Sequence, residues 1–460
     1  MTVAPELLEA SGETEVIVQL GRAPISENMS EEEVRETLKR HAAETQEPIV
    51  DYADSHDGVE IQRQFWLTNA VLVTVDTDTV DFQELTMLPG VEELLPNEEV
   101  KKATTTTEPT AGESLPSAFD AIGASQPVTA TETTYGLGQI SAPSVWDRYD
   151  ARGEGTKVAV LDTGVDPDHT DIDLYTRDPE DLTYPGGWAE FNNFGIRIDG
   201  STPYDDDGHG THVSGTVAGG NSSGMAIGVA PETDLIHGLV LPEGTGTSMQ
   251  IIAGFEWALE EDADMISMSL GGPFYRTHYL RAVQNAEAAG TVVVGAAGNF
   301  GEGTADAPAN VYETVSVGST DIDETIAPTS GGRIITTEHA WGDRAPDHWP
   351  ERYLVPDVTA PGVDVFSANT GGGYVAYSGT SMATPHVAGT LALMLSASDG
   401  DYSPAELRTA LYETTRKPPD APGEQDVRYG RGIVDALAAT ERLAGQEPEI
   451  EPISPDDDSD

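Results

Sequence analysis

The stretch GTSMATPHVAG, residues 379–389, sets Ser381 among small residues where an apolar helix begins. A hydroxyl there lies beside backbone N–H groups that no helical carbonyl accepts from, at the positive end of the helix dipole, so developing negative charge is stabilised. Pro385 fits only near a helix N-terminus, which independently fixes that boundary, and Gly379 and Ala383 leave room for a reactant. Two other segments supply the groups that make a serine reactive. VAVLDTGVDPDHTDI, residues 158–172, reads as a buried strand delivering Asp162 to its C-terminal edge. DDDGHGTHVSGTVAG, residues 205–219, reads as a glycine-rich loop that carries His209 into a helix. Acid, imidazole and hydroxyl on three element ends can form a nucleophilic triad: the serine attacks, the imidazole takes its proton, and the carboxylate holds the tautomer. A fourth stretch, TVVVGAAGN, is an apolar strand ending on the amide of Asn299. Alone, each is an ordinary cap, strand end or turn.

In the order Asp, His, Ser, these stretches resemble the signatures of the subtilisin-like serine proteases, over about residues 135–439. The resemblance implies an α/β three-layer fold with a mostly parallel central sheet, and hydrolysis of peptide bonds through an acyl-enzyme. It makes Asp162, His209 and Ser381 the triad, and Asn299, with the backbone N–H of Ser381, the donors to the oxyanion. It also assigns substrate binding: Ser269, Leu270 and Gly271 in ISMSLGG pair with an extended peptide, and Gly244 and Gly246 in LPEGTGTS flank its other side. An alignment anchored on Pro308 puts Asp306 near the floor of the primary pocket, where a buried carboxylate favours Lys or Arg in the substrate. No cofactor is required for the chemistry. Structural calcium is possible at Asp171, Asn221 and Ser222, although Ser222 stands where an asparagine is usual in the family.

The remaining chain must position these groups. Strand and helix patterns over residues 1–100 run β-α-β-β-α-β, with a helix over 31–44 after Ser30, and predict a ferredoxin-like α+β plait. It resembles the family's inhibitory propeptides, so the chain's own prodomain is expected to act as intramolecular inhibitor and folding aid. Residues 101–134, rich in Thr, Ala and Pro, read as a mobile linker, residues 135–444 as the catalytic domain, and 445–460 as an acidic disordered tail. An unusual insertion carries Trp341, His348, Trp349 and Arg352, expected to cover an apolar face rather than rim a cleft.

Composition bounds the setting. The formal net charge is −57, and lysine occurs only at positions 39, 101, 102, 157 and 417. Such self-repulsion is relieved where concentrated salt screens charge within about 3 Å. The chain therefore looks halophilic and resembles halolysin-type proteases. Protein or peptide substrates fit, a monomer is expected, and nucleic acid is excluded as a partner by charge. There is no cysteine, hence no disulfide or thiolate metal site. No apolar run suggests a membrane span, and the first residues lack a leader pattern, so the protein is internal if read literally and secreted if a leader is missing. Three other readings compete: a metal held by His209, His212 and Asp207, half of an aspartic dyad at Asp162, and an inactive peptide-binding scaffold.

Overall fold

The computed structural model describes residues 2–26, 28–103, 132–398 and 400–445. Most of the expected linker and all but the first residue of the expected tail lie outside the described residues.

Seven strands form one parallel sheet, in the order Val358–Pro361, Val315–Thr320, Val292–Ala296, Met265–Met268, Lys157–Asp162, Asp234–Leu239, Trp188–Glu190. Their near-continuous apolar runs follow from burial on both faces. Along the Lys157–Asp162 strand, Val158 and Val160 join one core cluster while Ala159 and Leu161 join the other. Helices His209–Ala218 and Thr380–Ser396 belong to the first face, and helices Ser248–Glu260 and Thr277–Ala288 to the second. Because every strand points the same way, the C-terminal edge gathers Asp162 and the turns that follow the strands.

The second face is covered by the N-terminal part of the chain. Strands Glu13–Leu20, Val59–Phe65, Ala70–Asp76 and Val91–Pro96 pair antiparallel, with Glu13–Leu20 between Ala70–Asp76 and Val91–Pro96. Helix Glu31–Ser55 opens on a capping box made by Ser30 and Glu33 and runs through Pro48, well past the end expected from the sequence. Its docked face, including Val34, Leu38 and Ile49, outweighs the lost backbone bond at proline. A single apolar cluster passes from this sheet into helices Ser248–Glu260 and Thr277–Ala288. Polar anchors cross the same boundary: Glu256 accepts from Arg63 Nη2 (2.7 Å) and Leu67 N (3.0 Å), and Asn97 Oδ1 accepts from Met249 N (3.0 Å).

The insertion forms an antiparallel hairpin, Arg333–Thr336 with Arg352–Val355. Trp341 and Trp349 are buried in it; Trp341 Nε1 donates to Tyr353 Oη (2.8 Å), which donates to Asn310 O (2.6 Å). These tryptophans pack, as expected, whereas His348 and Arg352 are exposed.

Candidate active site

Three element ends meet at the carboxyl edge of the sheet. His209 begins its helix behind Gly208, whose φ of 91° suits glycine, and its Nδ1 lies 2.6 Å from Asp162 Oδ1. Thr163 N donates to that same oxygen (2.8 Å). Both side chains are at most 1 % exposed, and His209 Nε2 has no hydrogen-bond partner among the described residues. With Nδ1–H given to the carboxylate, Nε2 is left as the basic nitrogen. Ser381 stands in the first turn of the helix Thr380–Ser396, which packs against the helix of His209. Asn299 follows the strand Val292–Ala296, and its Oδ1 accepts from Thr380 N (2.9 Å), which turns Nδ2 outward.

The cleft is not empty. A short strand, Glu99–Lys102, lies between Thr245–Thr247 and Leu270–Gly271 and pairs antiparallel with both. Lys101 and Lys102, assigned to the linker from composition, are part of this strand instead. Its register sets Val100 opposite Gly246, and Lys102 opposite Leu270. Ala103 N donates to Ser269 O (3.0 Å), and the Ala103 carbonyl accepts from both Ser381 Oγ and Asn299 Nδ2. The serine hydroxyl therefore points at a peptide carbonyl that an amide polarises. Ser269 also fixes the nucleophile's backbone, its Oγ donating to Ser381 O (2.7 Å).

The other expected residues fall as follows. Gly271, Gly244 and Gly246 all border the docked strand. Asp306 is buried, and a Cβ built on Gly298, the residue before Asn299, would lie 2.7 Å from its Oδ2. Desolvation alone pushes its carboxyl up to about 6, and Oδ1 has no partner among the described residues. Asp171 sits apart from the cleft. Its Oδ1 accepts from Ser222 N (2.7 Å) and its Oδ2 from Tyr374 Oη (2.7 Å), while Asn221 is exposed. With a single carboxylate already holding two donors, this set does not fit a calcium ion without rearrangement.

The metal reading of HGTH finds no support in the geometry. His209 faces Asp162, His212 Nε2 donates to Val365 O (2.9 Å), and Asp207 faces Lys102. Burial lowers His212 to about 3, leaving a neutral structural imidazole. Sequence reasoning missed three features: the strand Glu99–Lys102 that leads to Ala103, the role of Thr380 in aiming Asn299, and the pairing of Asp207, read only as a metal-ligand candidate, with Lys102. Four residues carry too little alternation to reveal a strand, and Asp207 is one acid in a run of three.

A parallel sheet with a serine, an imidazole–carboxylate pair and a carbonyl-binding amide at its edge defines a hydrolase acting on acyl groups. The comparisons specify which. The subtilase family pattern matches residues 153–432. An intracellular serine protease of Paenibacillus polymyxa is 36 % identical over 316 residues, spanning 68 % of this chain and 88 % of that protein. Subtilisin E of Bacillus subtilis (strain 168) is 35 % identical over 319 residues, covering 68 % and 72 % of the two chains. The subtilisin of Bacillus pumilus is likewise 35 % identical and is covered over its full length. The chain belongs to the subtilase family and is a serine-type endopeptidase.

Proposed function

We propose that this subtilase is made as a self-processing zymogen adapted to high salt. Residues 1–100 serve as its ferredoxin-like inhibitory prodomain, and residues 135–444 as its catalytic domain. The observation that carries this reading is the Ala103 carbonyl, held by Ser381 Oγ and Asn299 Nδ2 at the end of a strand paired on both edges. That is how a scissile peptide would lie, and it points to the Ala103–Thr104 bond as the first one cut.

In this mechanism the Ser381 hydroxyl turns from the Ala103 oxygen to His209 Nε2, unpartnered among the described residues. Oγ attacks the carbonyl carbon as its proton passes to that nitrogen, and Asp162 stabilises the imidazolium formed. Asn299 Nδ2 holds the developing oxyanion, a contact already made in the ground state and strengthened as charge builds. Collapse breaks the C–N bond; His209 returns the proton to the leaving amine, and water then releases the acyl group by the same path. Asp306, behind Gly298 and with one oxygen unpartnered, favours a basic side chain at the first position upstream of the cut.

Mass spectrometry of protein held in molar salt tests the reading. Wild type is expected to yield a new N-terminus at Thr104, and Ser381→Ala to stay at 48.7 kDa. Processing by the variant, or no labelling of wild type by a serine-directed fluorophosphonate, overturns it.

A further inference from the structure

The chain has only five lysines, and one of two consecutive ones is placed against the site just described. Lys102 precedes Ala103, and its Nζ donates to both oxygens of Asp207, at 2.5 and 2.6 Å. The two side chains are 24 % and 17 % exposed, so the pair is largely withdrawn from water. We propose that Asp207 is a specificity-determining residue: it selects Lys or Arg at the second position upstream of the cut, and with Asp306 behind the first position it directs the mature enzyme to paired basic residues. This rests on the protease reading above.

Asp207 is not occupied in holding its own loop together. That task falls to Asp205, whose Oδ1 accepts from Asp207 N (3.1 Å) and Gly208 N (2.9 Å), and whose Oδ2 accepts from Thr211 N (2.8 Å) and Thr211 Oγ1 (2.7 Å). Apart from Lys102, Asp207 has one long local bond, from His209 N at 3.3 Å. Across the slot, Gly244 sits at a φ of +82°, where a Cβ would lie 3.3 Å from both Asp207 Oδ2 and Lys102 Cε. Glycine there gives the slot its width and lets a long aliphatic stem pass to the acid.

Once the docked strand leaves, Asp207 loses its cation. A substrate with Lys or Arg at that position restores the pair, whereas Ala leaves a partly buried carboxylate uncompensated and Glu sets two carboxylates together. The chain's own strand fills this subsite but carries alanine, not a basic residue, at position 103. A substrate with two consecutive basic residues satisfies both acids.

The test uses self-processed enzyme in molar salt, with active sites counted by fluorophosphonate. Four fluorogenic peptides keep Ala at the first position and carry Lys, Arg, Ala or Glu at the second. Lys and Arg are expected to exceed Ala in kcat/KM by about 10-fold or more, with Glu lowest, the scale of a charged hydrogen bond. In Asp207→Asn the Lys/Ala ratio is expected to fall to within about threefold, and in Asp207→Lys the order of Lys and Glu to reverse. Equal turnover of all four peptides by labelled wild type overturns the proposal, whatever the variants do, as does an unchanged ratio in Asp207→Asn. Failure of wild type to label sinks the protease reading instead.

Discussion

In the proposed pocket role, Asp306 would trade stability against recognition. Its carboxyl is raised from 3.8 to about 6 by burial, so the folded state prefers it protonated. An acid raised in this way contributes most below its unfolded value, and the contribution is lost as pH climbs through about 4 to 6. At pH 8 the ionised group costs up to about 3 kcal/mol. Asp306→Asn is therefore expected to raise the unfolding midpoint at pH 8, with the gain fading below about pH 4, as calorimetry at fixed salt would show. The same change should abolish preference for Arg over Leu at the first position. In wild type that preference should fall as pH drops through 6, when the pocket loses its charge. A midpoint lowered at pH 8, together with intact Arg preference, would remove Asp306 from the pocket.

At the scale of elements, the join between the N-terminal sheet and the helix Ser248–Glu260 is centred on Glu256. Burial raises its carboxyl to about 7 against the opposing pull of Arg63 and the Leu67 amide. A raised acid at a joint weakens that joint as pH climbs towards and past 7, so release of the N-terminal unit after cutting should be faster at pH 8 than at pH 6. Glu256→Ala strands the partly buried Arg63 guanidinium and the buried Leu67 N–H, and is expected to speed the appearance of activity after cutting by 10-fold or more, a loss on the order of 2 kcal/mol. Identical activation curves for variant and wild type would show that the apolar cluster alone holds the two together. These elements differed in legibility. The strands and Ser30 of the N-terminal unit are readable from alternation and capping. The continuation of its helix through Pro48 is not, because docking of Val34, Leu38 and Ile49 rather than local propensity decides it.

Over the whole molecule the governing quantity is charge. With 80 acidic residues against 23 basic ones, the folded chain repels itself, and the ion pairs in which both side chains are exposed, such as Lys39–Glu260, Arg148–Glu441 and Arg442–Glu413, each contribute little. Many of the lysines and arginines are drawn to the joint between the N-terminal sheet and the rest, as in Lys39–Glu260, Arg63–Glu256, Arg276–Glu98 and Arg281–Glu92. The unfolding midpoint is expected to rise steeply between 0.1 and about 2 M NaCl as the Debye length shrinks from about 10 Å towards 3 Å. A midpoint that is flat or falling over that range would show that repulsion does not limit stability.

The sequence by itself set Asp162, His209, Ser381 and Asn299 at element ends; each motif alone is an ordinary cap, strand end or turn, and only their shared order, through the family resemblance, points to the chemistry. It also determined the parallel sheet, because strands buried on both faces must be apolar throughout. Only the tertiary structure decided what lies in the cleft and which acids matter there. Ala103 meets Ser381 from 278 residues away, and within the run of three acids Asp205 holds its own loop while Asp207 faces Lys102. Local patterns record what a residue's neighbours along the chain require; the meeting of distant segments, and the burial that gives one carboxylate among many a partner, exist only once the chain has closed on itself.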